Sequence, residues 1–297
     1  SDKTGYFRYD RYSLGGYKMN AIEIKDLCKS YDEFNIDKLS LTVPQGCIVG
    51  LIGENGAGKS TTINLILDII QKDSGSITVL GNDNTQNTAA LKEDIGVVPD
   101  EPGFPECLTA TQVNSIMKYT FRSWDETAFN NYISMLDIPA GKPFKDFSRG
   151  MKMKLSIAVA MSHTAKLLIL DEPTSGLDPV VRDEVIDMFN EFTRDENHSI
   201  LISSHIVSDL EKICDYIAFI HKGRLLLFEE KDALLDRHCI VQCSKEQFDA
   251  LPEQAVKGIK KTPFGINAIV EKKYVPSDIQ MLPVTIEELF VFMVKEA

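Results

Sequence analysis

Residues 47–60, "CIVGLIGENGAGKS", decide how this chain is read. The apolar run through Gly53 is what a strand buried on both faces requires. It breaks into a G-x-x-x-x-G-K-S loop at Gly53, Gly58, Lys59 and Ser60, and "KSTTINLILDII" then reads as a helix. Glycines let a backbone wrap closely around a polyphosphate. A helix starting at such a loop turns its free N–H groups and positive dipole end toward the anion. The expected phosphate cradle is Asn55, Gly56, Ala57, Gly58, Lys59, Ser60 and Thr61. Lys59 neutralises the β/γ-phosphates of ATP and the Ser60 hydroxyl ligates Mg²⁺.

A second buried run, "LLILDEP", delivers Asp171 and Glu172 to the carboxyl end of a strand, where ligands bind in open α/β sheets. Neighbouring strand residues point to opposite faces, so the two acids are expected to divide the work. Asp171 suits the magnesium role, and Glu172 is left to orient and polarise the attacking water. "SILISS" is a further buried strand and ends at His205. That histidine shares the sheet edge with Glu172 and is expected to sense the γ-phosphate.

The bulk numbers set bounds on the rest. The chain has 297 residues, 43% hydrophobic and 26% charged, which suits a large domain plus a small one. A net charge of −12 makes it a poor bulk partner for nucleic acid. No apolar run approaches the roughly 20 residues that cross a bilayer, so a membrane role would need a partner that does the spanning. The six cysteines are scattered except in "HCIVQC" (238–243). There Cys239, Val241 and Cys243 share one strand face and His238 takes the other, so no metal site converges and reduced thiols are expected. Residues 1–18 lack the apolar core of a secretory signal and read as a leader or extension of unknown role.

Along the chain, residues 21–46 alternate as half-buried antiparallel strands, and "SGSITVLG" and "IGVVPD" are later strands. Residues 101–166 are helical in pattern and interrupt the strand–helix alternation as an inserted lobe. Asp178-Pro179 opens a helix, with aspartate as N-cap and proline at the first position. "YIAFIHKGRLLLF" is a hairpin turning at Lys222-Gly223. From residue 238 a small α+β unit follows: a strand, a helix with a Ser244/Gln247 capping box, a hairpin around 263–265, and a last helix starting at Thr285 with Glu288. The apolar face of that last helix is expected to bury against its own chain, with a second subunit as the alternative cover. The predicted class is α/β with a mixed core sheet, in three parts: 1–18, 19–237 and 238–297.

The order of these motifs over residues 20–237 resembles the ATPase subunit of ABC transporters. The P-loop is that family's Walker A and "LLILDE" its Walker B. "VVPDEPG" stands at the Q-loop, "FSRGM" (147–151) at the signature, "SGLD" (175–178) at the D-loop, and His205 at the switch histidine. The resemblance implies a P-loop ATPase fold and places Tyr31 of "KSY" against adenine. It implies that Ser148 and Gly150, with Arg149 between them, hold the γ-phosphate of ATP bound to a second subunit, and that Asp178 serves the D-loop. It also implies a head-to-tail dimer with two Mg-ATP at its interface, paired with membrane subunits at the cytoplasmic side of the membrane.

Four positions depart from the family pattern. Phe147 replaces leucine, and Arg149 and Met151 replace a glycine and a glutamine; the hydroxyl cap and free N–H groups survive. Arg149 either assists anion binding or projects to solvent. Asp100 replaces the Q-loop glutamine; it can still ligate Mg²⁺ but lacks the amide donor. These departures and the carboxyl-terminal unit are similar to ABC-2 type exporter ATPases, including peptide, antibiotic and phenol-soluble-modulin exporters, which implies ABC-2 type permease subunits as partners. The segment after Asp100, with Phe104 and Leu108, is expected either to receive a coupling helix of those subunits or to form lobe core. The alternatives are a soluble ABC ATPase of DNA or translation work, or an import or iron–sulfur assembly ATPase. One P-loop, no long heptad insert and an acidic chain argue against the first.

Overall fold

In the computed structural model, which describes residues 19–86, 89–262 and 265–296, the strand entering the glycine-rich loop is β3 (Ile48–Ile52), buried at every position. It lies in a sheet with β6 (Ile95–Val98), β7 (Leu167–Asp171), β8 (Ser199–Ser204), β9 (Tyr216–His221) and β10 (Arg224–Glu230). Their order is β10-β9-β3-β8-β7-β6. Five strands are parallel, and β10 returns antiparallel along β9. The turn between β9 and β10 places both Lys222 and Gly223 at positive φ, 45° and 74°, as a two-residue hairpin loop requires.

The continuous apolar runs reflect two covered faces. Val49, Leu51, Leu167 and Ile169 pack with an antiparallel sheet and α1 (Lys59–Ile66), whereas Ile48, Leu168, Leu170 and Phe219 pack among helices. The antiparallel sheet, ordered β2-β1-β4-β5, joins β1 (Asn20–Ser30), β2 (Asn35–Pro44), β4 (Ser74–Val79) and β5 (Asn82–Asp83).

The predicted helix over 59–70 ends early, at Ile66. Asp68 turns left-handed with φ 55°, and the buried Asn84 amide donates to the carbonyls of Leu65 (2.7 Å) and Ile66 (3.3 Å). A side chain distant in sequence thus satisfies terminal acceptors that another turn of helix would have used.

After α2 (Ala89–Glu93) and β6 comes the expected lobe, α3 (Ala110–Thr120), α4 (Glu126–Met135) and α5 (Arg149–Ala160). Phe104 and Leu108 are half-buried against its core, Phe104 meeting Phe144 edge-on at 5.5 Å. They are packing residues of the lobe. Beyond β7 the chain forms α6 (Pro179–Phe192), capped by Asp178 as expected, then α7 (Val207–Ile213) and α8 (Lys231–Arg237).

The last sheet is ordered β12-β13-β11-β14, from β11 (His238–Cys243), β12 (Val256–Thr262), β13 (Gly265–Glu271) and β14 (Met281–Leu282). The Ser244/Gln247 capping box opens α9 (Lys245–Asp249). The leader over 1–18 and the hairpin's turn residues 263–264 lie outside the described residues. Thr285 and Glu288 exchange the expected capping bonds ahead of α10 (Ile286–Glu296). Ile286 and Leu289 of α10 are buried in the main core and Phe290 meets Phe219 at 5.2 Å, so its apolar face is covered by its own chain. His238 is buried with Nδ1 on the Leu234 carbonyl at 2.9 Å, and Cys28, Cys107, Cys214, Cys239 and Cys243 form no disulfide. Among the described residues no group could hold a metal ion through three or more His, Cys, Asp or Glu side chains.

Candidate nucleotide site

The sheet order brings three strand ends together: β8 lies between β3 and β7, so the P-loop, Glu172 and His205 emerge side by side. Gly58 of the loop has φ 110°, and a Cβ there would stand 2.8 Å from both the Phe34 ring and Ile36, so any side chain there is strained and glycine is favoured. Lys59 is 6% exposed. Its Nζ donates to the Gly53 carbonyl at 2.7 Å and lies 3.4 Å from Glu172 Oε1. Asn55, Gly56 and Ser60 are exposed, Ala57 is buried and Thr61 is half-buried.

Glu172 is not a strand residue. It follows β7 at φ 53°, so strand alternation does not govern it, and its carboxylate takes different partners from that of Asp171. Glu172 Oε2 accepts the His205 backbone N–H at 3.2 Å and lies 2.6 Å from His205 Nδ1. Asp171 is buried and accepts from the Ser203 hydroxyl at 2.5 Å. The same Ser203 oxygen accepts the Glu172 N–H at 3.1 Å. Ser203 is thus a support that motif reading missed; its signal was a pair of serines, Ser203 and Ser204, closing a strand that is buried throughout. Arg182 is another. Its Nη2 donates to the Leu177 carbonyl at 3.3 Å, and its Nε faces the buried Asp209 at 3.7 Å, which ties the "SGLD" loop to the helix after His205.

The remaining candidates form a second group. Ser148 caps α5 by accepting from the Met151 N–H at 3.2 Å, and buried Phe147 fills the position before it. Gly150 abuts the "SGLD" loop, since a Cβ there would lie 3.0 Å from the Gly176 carbonyl. Arg149 neither projects freely nor waits at the helix start: its Nη2 is 3.0 Å from Asp100 Oδ1. Asp100 is therefore engaged within its own chain. Among the described residues no hydrogen bond or ion pair joins Ser148, Arg149 or Gly150 to the P-loop of the same subunit. Tyr31 ends up 45% exposed after β1, and Asp178 stands exposed as the cap of α6.

A glycine cradle at a helix start, a buried lysine and two strand-end carboxylates fit a nucleotide triphosphate with its divalent metal. The fold and this constellation define a P-loop ATPase of the ATP-binding-cassette class. The family model described as "ABC transporter" matches residues 36–175. The bacitracin transport ATP-binding protein BcrA of Bacillus licheniformis is 37% identical over 208 residues, covering 69% of this chain and 68% of that protein. The ABC transporter ATP-binding protein YtrB of Bacillus subtilis is 30% identical over 285 residues, 91% of this chain and 97% of its own length. A solved ATP-binding subunit of an ABC transporter superposes with TM-score 0.65 at 28% identity, covering 72% of this chain and 91% of that one. The chain belongs to the ABC transporter ATP-binding family. It is an ATP-binding ATPase.

Proposed function

We propose that this ATPase powers an exporter of the ABC-2 type, acting as a head-to-tail dimer on the cytoplasmic side of a membrane. The observation that carries the reading is the junction of Lys59, Glu172 and His205 at one sheet edge, with Ser148 and Gly150 held apart from it at the start of α5. A complete site then needs the helix start of a second subunit. Asn55–Thr61 cradle the phosphates, Tyr31 offers its exposed ring to adenine, and Ser60, Asp171 and Asp100 supply oxygens for Mg²⁺. When bound, that cation neutralises charge on the phosphates. Lys59 orients the terminal phosphates and Glu172 takes the proton of the attacking water. His205 holds Glu172 through two contacts on one oxygen, and Asp178 meets the partner at the interface.

Among the described residues no helix is long and apolar enough to cross a membrane, and the reading assigns the spanning to membrane subunits. Their coupling helix finds its seat in an apolar cleft of about 410 Å³ between α1, α2 and the end of α3, lined by Leu67, Ile69, Ala89, Leu91, Val97 and Phe121. Val97 lies on β6, three residues before Asp100, so the cleft borders the strand that leads into the loop bearing Asp100. The bacitracin and YtrB-type relatives support a transport role, and bacitracin supports an antimicrobial peptide as the class of cargo.

Size exclusion of Glu172→Gln with Mg-ATP tests the reading. A dimer that needs ATP and is lost on adding Ser148→Arg is expected. ATP binding without a dimer, in the presence of the membrane subunit as well, overturns it.

A further inference from the structure

The two most evident departures from the family motif touch each other. Asp100 and Arg149 are 49 positions apart, yet their side chains meet at 3.0 Å. The arginine stem also lies across the "SGLD" loop: a Cβ on Gly176 would stand 3.3 Å from Arg149 Cδ. One side chain therefore ties together the three loops that bear the signature, the metal-ligand aspartate and Asp178.

Electrostatics shows why the tie is conditional. Arg149 is the first residue of α5, whose opening turn contains no acidic residue. A cation there is opposed by the positive end of the helix dipole. Asp100 relieves that conflict in the isolated subunit, and an anion docking on the same helix start would relieve it as well. The Asp100–Arg149 pair is exposed, 44% and 60% by side chain, and such pairs are weak and readily exchanged. A polyphosphate offers the guanidinium several charge-assisted, bidentate acceptors. Competition therefore favours the nucleotide.

We propose that Arg149 is a positioning residue that holds Asp100 in the nucleotide-free subunit and yields it to the metal when the guanidinium is drawn to ATP bound by the partner. ATP arriving in one site would thereby prepare the metal ligand of the other. This rests on the reading that "FSRGM" acts across the dimer interface.

The test uses Glu172→Gln protein and two readouts other than turnover. One is the ATP concentration at which the dimer forms. The other is the gain in ATP affinity on adding Mg²⁺, measured in the monomer at low protein concentration with a fluorescent ATP analogue. Arg149→Gln should raise the ATP needed for the dimer about tenfold and enlarge the monomer's Mg²⁺ gain at least threefold. Arg149→Lys should keep the dimer within about threefold. In an Asp100→Asn background, Arg149→Gln should leave the Mg²⁺ gain unchanged. If Arg149→Gln alters that gain equally with and without Asp100, or alters neither readout while Ser148→Arg still abolishes the dimer, the tie is refuted and the interface reading stands. If Ser148→Arg leaves the dimer intact, the interface reading itself fails and the tie fails with it.

Discussion

The Glu172 carboxylate is fixed from two sides by His205, whose ring Nδ1 lies 2.6 Å and whose backbone N–H lies 3.2 Å from the same oxygen. A carboxylate held this way keeps one orientation, as the proposed role of a base requires. Loss of general-base catalysis costs about 10²–10⁴-fold in rate. Glu172→Gln and His205→Ala are each expected to lower kcat for phosphate release within that range while leaving ATP affinity within a few-fold. Because the two act as a unit, the double variant should be scarcely slower than the worse single. Multiplied losses would show that they act separately.

Ser203 supports both strand-end acids. In Ser203→Ala, Asp171 loses the hydroxyl it accepts from at 2.5 Å and remains buried. Leaving a buried acceptor without its donor costs about 1–3 kcal/mol. Urea unfolding should register a loss of that size, and the Mg²⁺ concentration giving half-maximal hydrolysis should rise. An unchanged Mg²⁺ dependence would assign Ser203 to folding alone.

Gly58→Ala tests the cradle. The new methyl would meet Phe34 and Ile36 at 2.8 Å on a backbone at φ 110°. Such strain costs on the order of 1–3 kcal/mol, which corresponds to roughly five- to 150-fold weaker ATP binding if the loop shifts to absorb it. Equilibrium binding of a fluorescent nucleotide would measure the change.

Two buried histidines set a pH response of stability. Burial holds His163, whose Nδ1 sits on the Glu93 carbonyl, below its ordinary value of 6.5, and burial does the same to His238. Between 6.5 and those lower folded values the unfolded chain binds more protons than the native one, so stability falls as pH falls. It is fully present above 6.5. Denaturation midpoints should therefore decline from pH 7 toward pH 5. The carboxyl of Glu93, which accepts from the Arg122 and Ser123 backbone, is held below its ordinary 4.5, so its own loss follows at lower pH. His163→Gln and His238→Gln together should flatten the upper part of the decline.

Phe219 is fully buried between the main sheet and α10. Phe219→Ala should cost about 3–5 kcal/mol of unfolding free energy. Phe290→Ala, which removes only the half-buried side of the same contact, should cost less.

What the amino-acid pattern revealed and what it concealed separate along one physical line. The buried strands showed as unbroken apolar runs because both faces of the six-stranded sheet are covered, and Asp178-Pro179, Ser244/Gln247 and Thr285/Glu288 announced helix starts because capping is a contact between near neighbours. Features built from distant partners stayed hidden. Asn84 ends α1 from 18 residues away, and Arg149 finds Asp100 only after the lobe has folded over β6. Phe104 and Leu108 looked equally suited to a docking groove or a lobe core, and only their packing on Phe144 and its neighbours decides for the core. Glu172 lies past the strand end in a left-handed conformation that no alternation rule foresees.

The burial of α10 against Phe219 bears on any attempt to study the catalytic unit by trimming the chain. A protein stopped after Arg237 would keep every nucleotide-facing group yet leave an aromatic floor open to water beneath the β9 strand. Poor yield or clumping of such a fragment would report a missing cover, and would say nothing against its capacity to bind and split ATP.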